Sequence, residues 1–243
     1  MKPTSMAKKS LLDAFVYNWQ IEESIVEGDM QNELYVYCIT DSNKTLCVRV
    51  SDFNPTVYLE LPSNQFERNI CNSGKKEDEE SMSHGKEIKW DVAKAQLVVN
   101  YLNYRLCPHG EEIKKNQIVS WSLEYMHRLY YAHMDEDGSK KVFPYLRLSF
   151  KSMKTARKVS YMCQAYQSKQ KQVLNISGIG AITMKVHECE ANSVLQFTQT
   201  RSIPTCGWVT LSGVIEPDLR ETSCDYEYRA SYKNFNPCKS PGL

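Results

Sequence analysis

The chain has 243 residues, 42% of them hydrophobic, enough for a real core in one large or two small domains. Its 30 basic and 29 acidic residues nearly cancel, which excludes a global basic field that would hold a phosphate backbone by mass action. No apolar run approaches the roughly 20 residues of a spanning helix, so no membrane partner is expected.

Residues 13 to 61 read as strands throughout. "AFVYNWQIEE", "ELYVYCIT", "TLCVRVSD" and "PTVYLELP" are rich in aromatic and β-branched residues, and Glu27-Gly28-Asp29 and Asp41-Ser42-Asn43 supply turns between them. Residues 1–62 are therefore expected to form a β-rich subdomain, a small sheet or partial barrel. The stretch from 63 to 88 contains "NSGKKEDEESMSHGKE", has almost nothing to bury, and is expected to be a mobile charged loop.

In "WDVAKAQLVVNYLNYRL", Val92, Ala95, Val99, Leu102 and Leu106 fall at helical spacing, with Asp91 at the start and Pro108 as a stop. From Ile118 the period becomes two, placing Val119, Trp121, Leu123 and Tyr125 on one face of a strand that runs to His133 before "DEDG" turns it. The returning strand alternates Leu146, Leu148 and Phe150 with Arg147 and Ser149. Ser152 then caps a second helix to about Tyr166. Ser177-Gly178-Ile179-Gly180 turns into a further strand with Ile182, Met184 and Val186 on one face. The order over 89–187 is that of a ferredoxin-like antiparallel sheet covered by two helices, so the fold class is α+β. Residues 188–243 are expected to hold a linker helix and strands.

Little of this pattern carries chemistry. Asp135, Glu136 and Asp137 lack the twelve-residue loop and closing Glu of a calcium site, and they read as a turn. His187 and Cys189 have no second ligand pair, Gly178 and Gly180 precede a strand rather than a helix, and no Gly-x-Ser-x-Gly elbow appears. The nine cysteines are scattered without a C-x-x-C pair or a signal-like N-terminus, as expected of reduced thiols in an intracellular protein. Arg147, Lys151, Lys154, Arg157 and Lys158 could hold phosphates, though a solvated helix face explains them as well. An RNA-recognition module would need its Lys/Arg-Gly-aromatic-Gly signature on a central strand. The nearest strand, "YLRLSFKS", has no glycine.

Three stretches do resemble a known family. "SDFNPTVYLELP", with Asp52, Phe53, Pro55 and Tyr58, is similar to the Asp-Phe-x-Pro-x-x-Tyr strand in the N-terminal domain of family B DNA polymerases. "FPYLRLSFKSMKTARK" is similar to a later strand and helix. "HECEANSVLQFTQTRSIPTCGWV" resembles the segment preceding the exonuclease domain, through His187, Glu188, Asn192, Leu195, Phe197, Gly207 and Trp208. The resemblance spans most of residues 13 to 235 and is closest to polymerases of large DNA viruses, with polymerase delta more distant.

It implies an N-terminal scaffold of a DNA-directed DNA polymerase. Its partners would be exonuclease and polymerase domains, on the same or a separate chain, and the DNA template. The complete enzyme would use Mg2+, with no cofactor in this chain. A viral member would work inside the cell, in the nucleus or a cytoplasmic viral factory. Similarity to archaeal members would set Phe53 and Pro55 near a sensor of deaminated bases; Thr56 replaces the usual aromatic, so sensing is not expected.

The family's first exonuclease motif is an Asp-x-Glu on an apolar strand. Asp78-x-Glu80 lies in the charged loop, and Asp225-Tyr226-Glu227 sits in an alternating strand, "TSCDYEYRASYKNF". Neither has the right surroundings, so this chain is expected to stop short of the catalytic motifs. Two alternatives stay open: a stand-alone nucleic-acid-binding module of ferredoxin-like fold, or a small metal-dependent nuclease using Asp225 and Glu227.

Overall fold

A computed structural model describes residues 11–26, 29–65, 86–107, 117–127, 138–164 and 172–238. In chain order the elements are β1 Leu12–Val26, β2 Asp29–Thr40, β3 Thr45–Val50, β4 Thr56–Glu60, α1 Val92–Leu106, β5 Ile118–Met126, β6 Phe143–Phe150 and α2 Met153–Cys163. There follow β7 Leu174–Ile176, β8 Gly180–Ile182, β9 Lys185–His187, α3 Ser193–Arg201, β10 Gly207–Leu211, β11 Tyr226–Arg229 and β12 Phe235–Pro237. The class is α+β and strand-rich. The chain divides into two compact units, the first holding residues 1–55, 151–153 and 191–243, the second residues 56–150 and 154–190.

The first unit is a six-stranded sheet in the order β11-β3-β2-β1-β10-β12. Strand alternation sends Ala14 and Val16, Leu34, Val36 and Cys38, Leu46, Val48 and Val50, and Val209 and Leu211 to one face. There they join Phe53, Phe197, Ile203, Val214, Tyr228 and Phe235 in one core. β11 lies parallel to β3, while the other pairs of this sheet are antiparallel. A register shift between Val16 and Asn18 marks a bulge in β1. Beyond it β1 pairs with β2 alone, because β10 reaches only Leu12–Val16.

The second unit is a four-stranded antiparallel sheet, β5-β6-β4-β9, with a short β7-β8 hairpin and two helices. α1 is capped by the Asp91 side chain, which accepts from the Lys94 N–H at 2.8 Å, and it buries Ala95, Val98, Val99, Leu102 and Leu106. It packs against β5 and β7. Val57, Leu59, Leu146, Leu148 and Phe150 are all fully buried.

Several expectations change. Thr56–Glu60, grouped with the N-terminal strands by sequence, pairs instead with β6 and β9 and supplies the fourth strand of the ferredoxin-like sheet. Residues 207–237, expected as strands after a linker helix, join the N-terminal strands as β10, β11 and β12. The single strand expected at Ile182, Met184 and Val186 is two short strands in different sheets, although all three side chains are buried. Val92 is 66% exposed rather than part of the buried helix face, which Ala95, Val98, Val99, Leu102 and Leu106 form. α2 is described as Met153–Cys163, and its expected end at about Tyr166 lies outside the described residues.

The Glu27-Gly28 turn, most of the charged loop including Asp78 and Glu80, Pro108, the run to His133, and Asp135 to Asp137 lie outside the described residues. None of the described cysteines is bonded to another. Burial pushes the Cys38, Cys47 and Cys163 thiols up to about 12. No described helix is long and apolar enough to cross a membrane.

Candidate functional site

In the first unit the motif residues converge on an aromatic cluster. Phe53, just after β3, meets Phe197 of α3 edge to face at 5.2 Å and Tyr232 at 5.8 Å. Phe197, fully buried, also meets Trp19 at 5.4 Å and Phe235 at 5.2 Å. Asp52 accepts from the Ser231 hydroxyl at 2.6 Å and the Tyr232 N–H at 2.8 Å, fixing the C-terminal segment beside Phe53. Pro55 is buried.

α3 itself is started by Asn192, whose side chain accepts from the Leu195 N–H at 2.8 Å, and is closed by Ser202 in the left-handed region. Leu195 is 46% exposed, so only Phe197 of the Leu-x-Phe pair serves the core. Gly207 has φ +146, and a Cβ there would stand 2.9 Å from Pro204 Cγ. It delivers Trp208 onto Phe15, ring centres 5.7 Å apart.

In the second unit His187 of β9 lies opposite Tyr58 of β4, and Tyr58 lies opposite Arg147 of β6. His187 Nε2 is 3.1 Å from Glu60 Oε2, which also accepts from the Tyr145 hydroxyl at 3.4 Å. This satisfies a carboxylate that is only 9% exposed, so His187 anchors a buried polar group. The Arg147 guanidinium stands 6.0 Å from the Tyr58 ring centre, and its Nη1 is 3.9 Å from Glu124. Burial raises the Tyr58 hydroxyl above its ordinary value; Arg147 opposes the shift and Glu124 adds to it. Glu188 has φ +63 directly after β9. Of the remaining basic candidates, Lys151 belongs to the first unit. Lys154, Arg157 and Lys158 are exposed on α2, at spacings of three and four that share a helix face.

The carboxylates of the Asp-x-Glu triplet are committed to structure. Asp225 accepts from the Thr45 N–H at 2.9 Å and hydroxyl at 2.8 Å, and lies 3.5 Å from Lys44 Nζ. The Thr45 bonds hold it below the usual carboxylate range. Glu227, 4% exposed, accepts through one oxygen from the Glu221 N–H, the Thr222 N–H and the Thr222 hydroxyl at 2.9–3.0 Å. Oxygens engaged in this way do not fit a two-metal centre, and among the described residues no group of three or more metal-ligating side chains converges.

Sequence reasoning missed a charge network built around the buried Glu33. Arg49 Nη2 donates to both oxygens of Glu33 at 2.8 Å and Nη1 to Glu221 at 2.9 Å, with the guanidinium 5.8 Å from the Tyr35 ring centre. Burial pushes the Tyr35 hydroxyl up to about 12 against the pull of Arg49, so it stays a donor, and it lies 3.4 Å from each of these two glutamates.

These motif residues lie in an α+β fold, most of them in packing, caps and hydrogen bonds. No family model matches the chain. It is 29% identical over 239 residues to DNA polymerase 037L of Invertebrate iridescent virus 6, covering 91% of this chain and 16% of that protein. It is 24% identical to DNA polymerase 120R of Invertebrate iridescent virus 3, covering 97% and 18%, and 24% identical to the putative DNA polymerase 060R of Frog virus 3, covering 82% and 13%. The family B DNA polymerase of the archaeon Pyrobaculum calidifontis has the same fold over 96% of this chain and 21% of its own, with a TM-score of 0.52 at 12% identity. The chain is thus a homologue of the N-terminal regions of viral DNA polymerases, folded like part of a family B DNA polymerase. It spans less than a fifth of the length of these viral relatives.

Proposed function

We propose that the chain is the N-terminal scaffold part of a family B DNA-directed DNA polymerase, acting in DNA replication through the complete enzyme. The observation that carries this reading is coverage. Nearly the whole chain aligns with viral DNA polymerases, while taking up only 16% and 18% of two of them. The fold match to a family B enzyme agrees with it.

Its partners are then the exonuclease and polymerase domains, in the same or a separate chain, and the DNA template. Arg147, Lys151, Lys154, Arg157 and Lys158 are the candidate contacts to that template. Mg2+ belongs to carboxylates of the other domains, since Asp225 and Glu227 are engaged by Thr45, Glu221 and Thr222. The site of action is inside the infected cell, in the nucleus or a cytoplasmic factory.

The nuclease alternative is tested on the same protein. Incubated with single-stranded DNA and Mg2+ or Mn2+, the scaffold releases no nucleotides above background, and Asp225→Ala changes nothing. Metal-dependent release that Asp225→Ala abolishes would replace the scaffold reading with an enzymatic one.

A further inference from the structure

One face of the four-stranded sheet is not built like a core. Residues paired across antiparallel strands share a face, so the registers Ser122↔Arg147, Arg147↔Tyr58 and Tyr58↔His187 set these four side chains in one row across all four strands. The apolar Val57, Leu59, Leu146 and Leu148 alternate with them and point the other way. Tyr58, Arg147 and His187 remain partly exposed.

Arg147 sits there only partly satisfied. Among the described residues its Nε is buried without a hydrogen-bond partner, its Nη1 is 3.9 Å from the Glu124 carboxylate, and its guanidinium lies 6.0 Å from the Tyr58 ring centre. That distance is the outer limit of a useful cation–π contact, and an orphaned buried N–H is a cost rather than a gain. A ligand offering a flat ring to Tyr58 and an anionic oxygen to the guanidinium satisfies both. Arg147 swings off the ring, the ring stacks on the ligand, and the guanidinium recovers acceptors for its fork of donors. A nucleotide of a single strand has that combination, a π-face on every base and a phosphate one sugar away.

We infer that this sheet face, centred on Tyr58 and Arg147, binds single-stranded nucleic acid, with one base on the Tyr58 ring and its phosphate on Arg147. The inference deepens the proposed template contact and rests on it for the identity of the strand, which is DNA. The face also carries Glu124 and the Glu60 carboxylate bonded to His187, so its cationic surplus is small. Stacking, not charge, supplies the affinity. Salt dependence is correspondingly shallow, a slope of about −0.7 in log K against log salt for each phosphate neutralised. The exposed face of α2, with Lys154, Arg157 and Lys158, would give about three times that slope.

The test uses the full chain and a fluorescein-labelled oligo-dT of about 12 nucleotides, followed by anisotropy at several salt concentrations. Expected is measurable binding with a slope near that of one phosphate. Tyr58→Leu and Arg147→Gln each weaken it about tenfold or more, a larger loss than in Lys154→Gln with Lys158→Gln, whereas Lys89→Gln, exposed and outside both surfaces, leaves it unchanged. Because Tyr58→Leu could disturb the sheet, the unsubstituted protein is also crosslinked to an oligonucleotide carrying 5-iodouracil; the adduct is expected on the peptide holding Tyr58 or His187. Binding lost only in the Lys154 and Lys158 variant, with crosslinks on α2, overturns the stacking site while leaving a template contact in place. No binding to single-stranded DNA overturns the site and leaves the polymerase kinship, which is tested through the coding frame, untouched.

Discussion

Arg49 and Glu33 are the clearest case of a residue pair whose energetics follow from burial. The Glu33 side chain is 4% exposed and Arg49 supplies both of its strong hydrogen bonds, so removing the arginine strands a buried charge. Arg49→Met is expected to cost about 3 kcal/mol in urea unfolding, and the double variant Arg49→Met/Glu33→Met to regain a large part of that. Additive losses in the cycle would mean the pair is not coupled. Nothing in "NELYVYCIT" or "TLCVRVSD" announces this pair, because a glutamate at the start of one strand and an arginine in the next read as solvent-facing alternation. Glu221, the third member, is 172 positions from Arg49, and only the return of the C-terminal strands brings it near. By contrast Phe53 and Phe197 were legible as special positions. What the sequence left open was their use, which is to pack against one another.

At the scale of elements, local signals were read well and partnerships poorly. α1 and α3 begin where Asp91 and Asn192 stand, since a short side chain that accepts a backbone N–H is a local device with a sequence signature. Asn192→Ala is expected to lower stability by about 1 kcal/mol in denaturant unfolding, and Asn192→Asp to retain most of it. Loss of nothing in Asn192→Ala would show that tertiary packing of Phe197, not the cap, holds α3.

The strand pattern of Thr56–Glu60 was equally visible, but its sheet was not. Alternation tells which residues face a core and not which core, and β4 continues from the N-terminal strands without a break in composition. The same nonlocality hid the row that sets Tyr58 beside Arg147. A search of β6 alone for an RNA-recognition signature finds Arg147 without its aromatic, because the ring, Tyr58, comes from the strand next to it.

For the whole molecule, two sheets are each assembled from segments distant in sequence. The chain passes between its units after residues 55, 150, 153 and 190, so neither unit is a continuous stretch. A cut at residue 62, the boundary read from composition, would separate β4 from β6 and β9 and leave the first sheet without β10, β11 and β12. Charge near zero, Asp225 and Glu227 taken up by backbone and threonine donors, and motif aromatics buried against each other support the proposed scaffold role. The most direct measurement is to read the native coding frame past the codon for Leu243. A polymerase scaffold predicts continuation into an apolar strand bearing Asp-x-Glu, or a separate chain from the same genome that carries the exonuclease and polymerase motifs. A frame without such a strand, in a genome with no chain bearing those motifs, would contradict it.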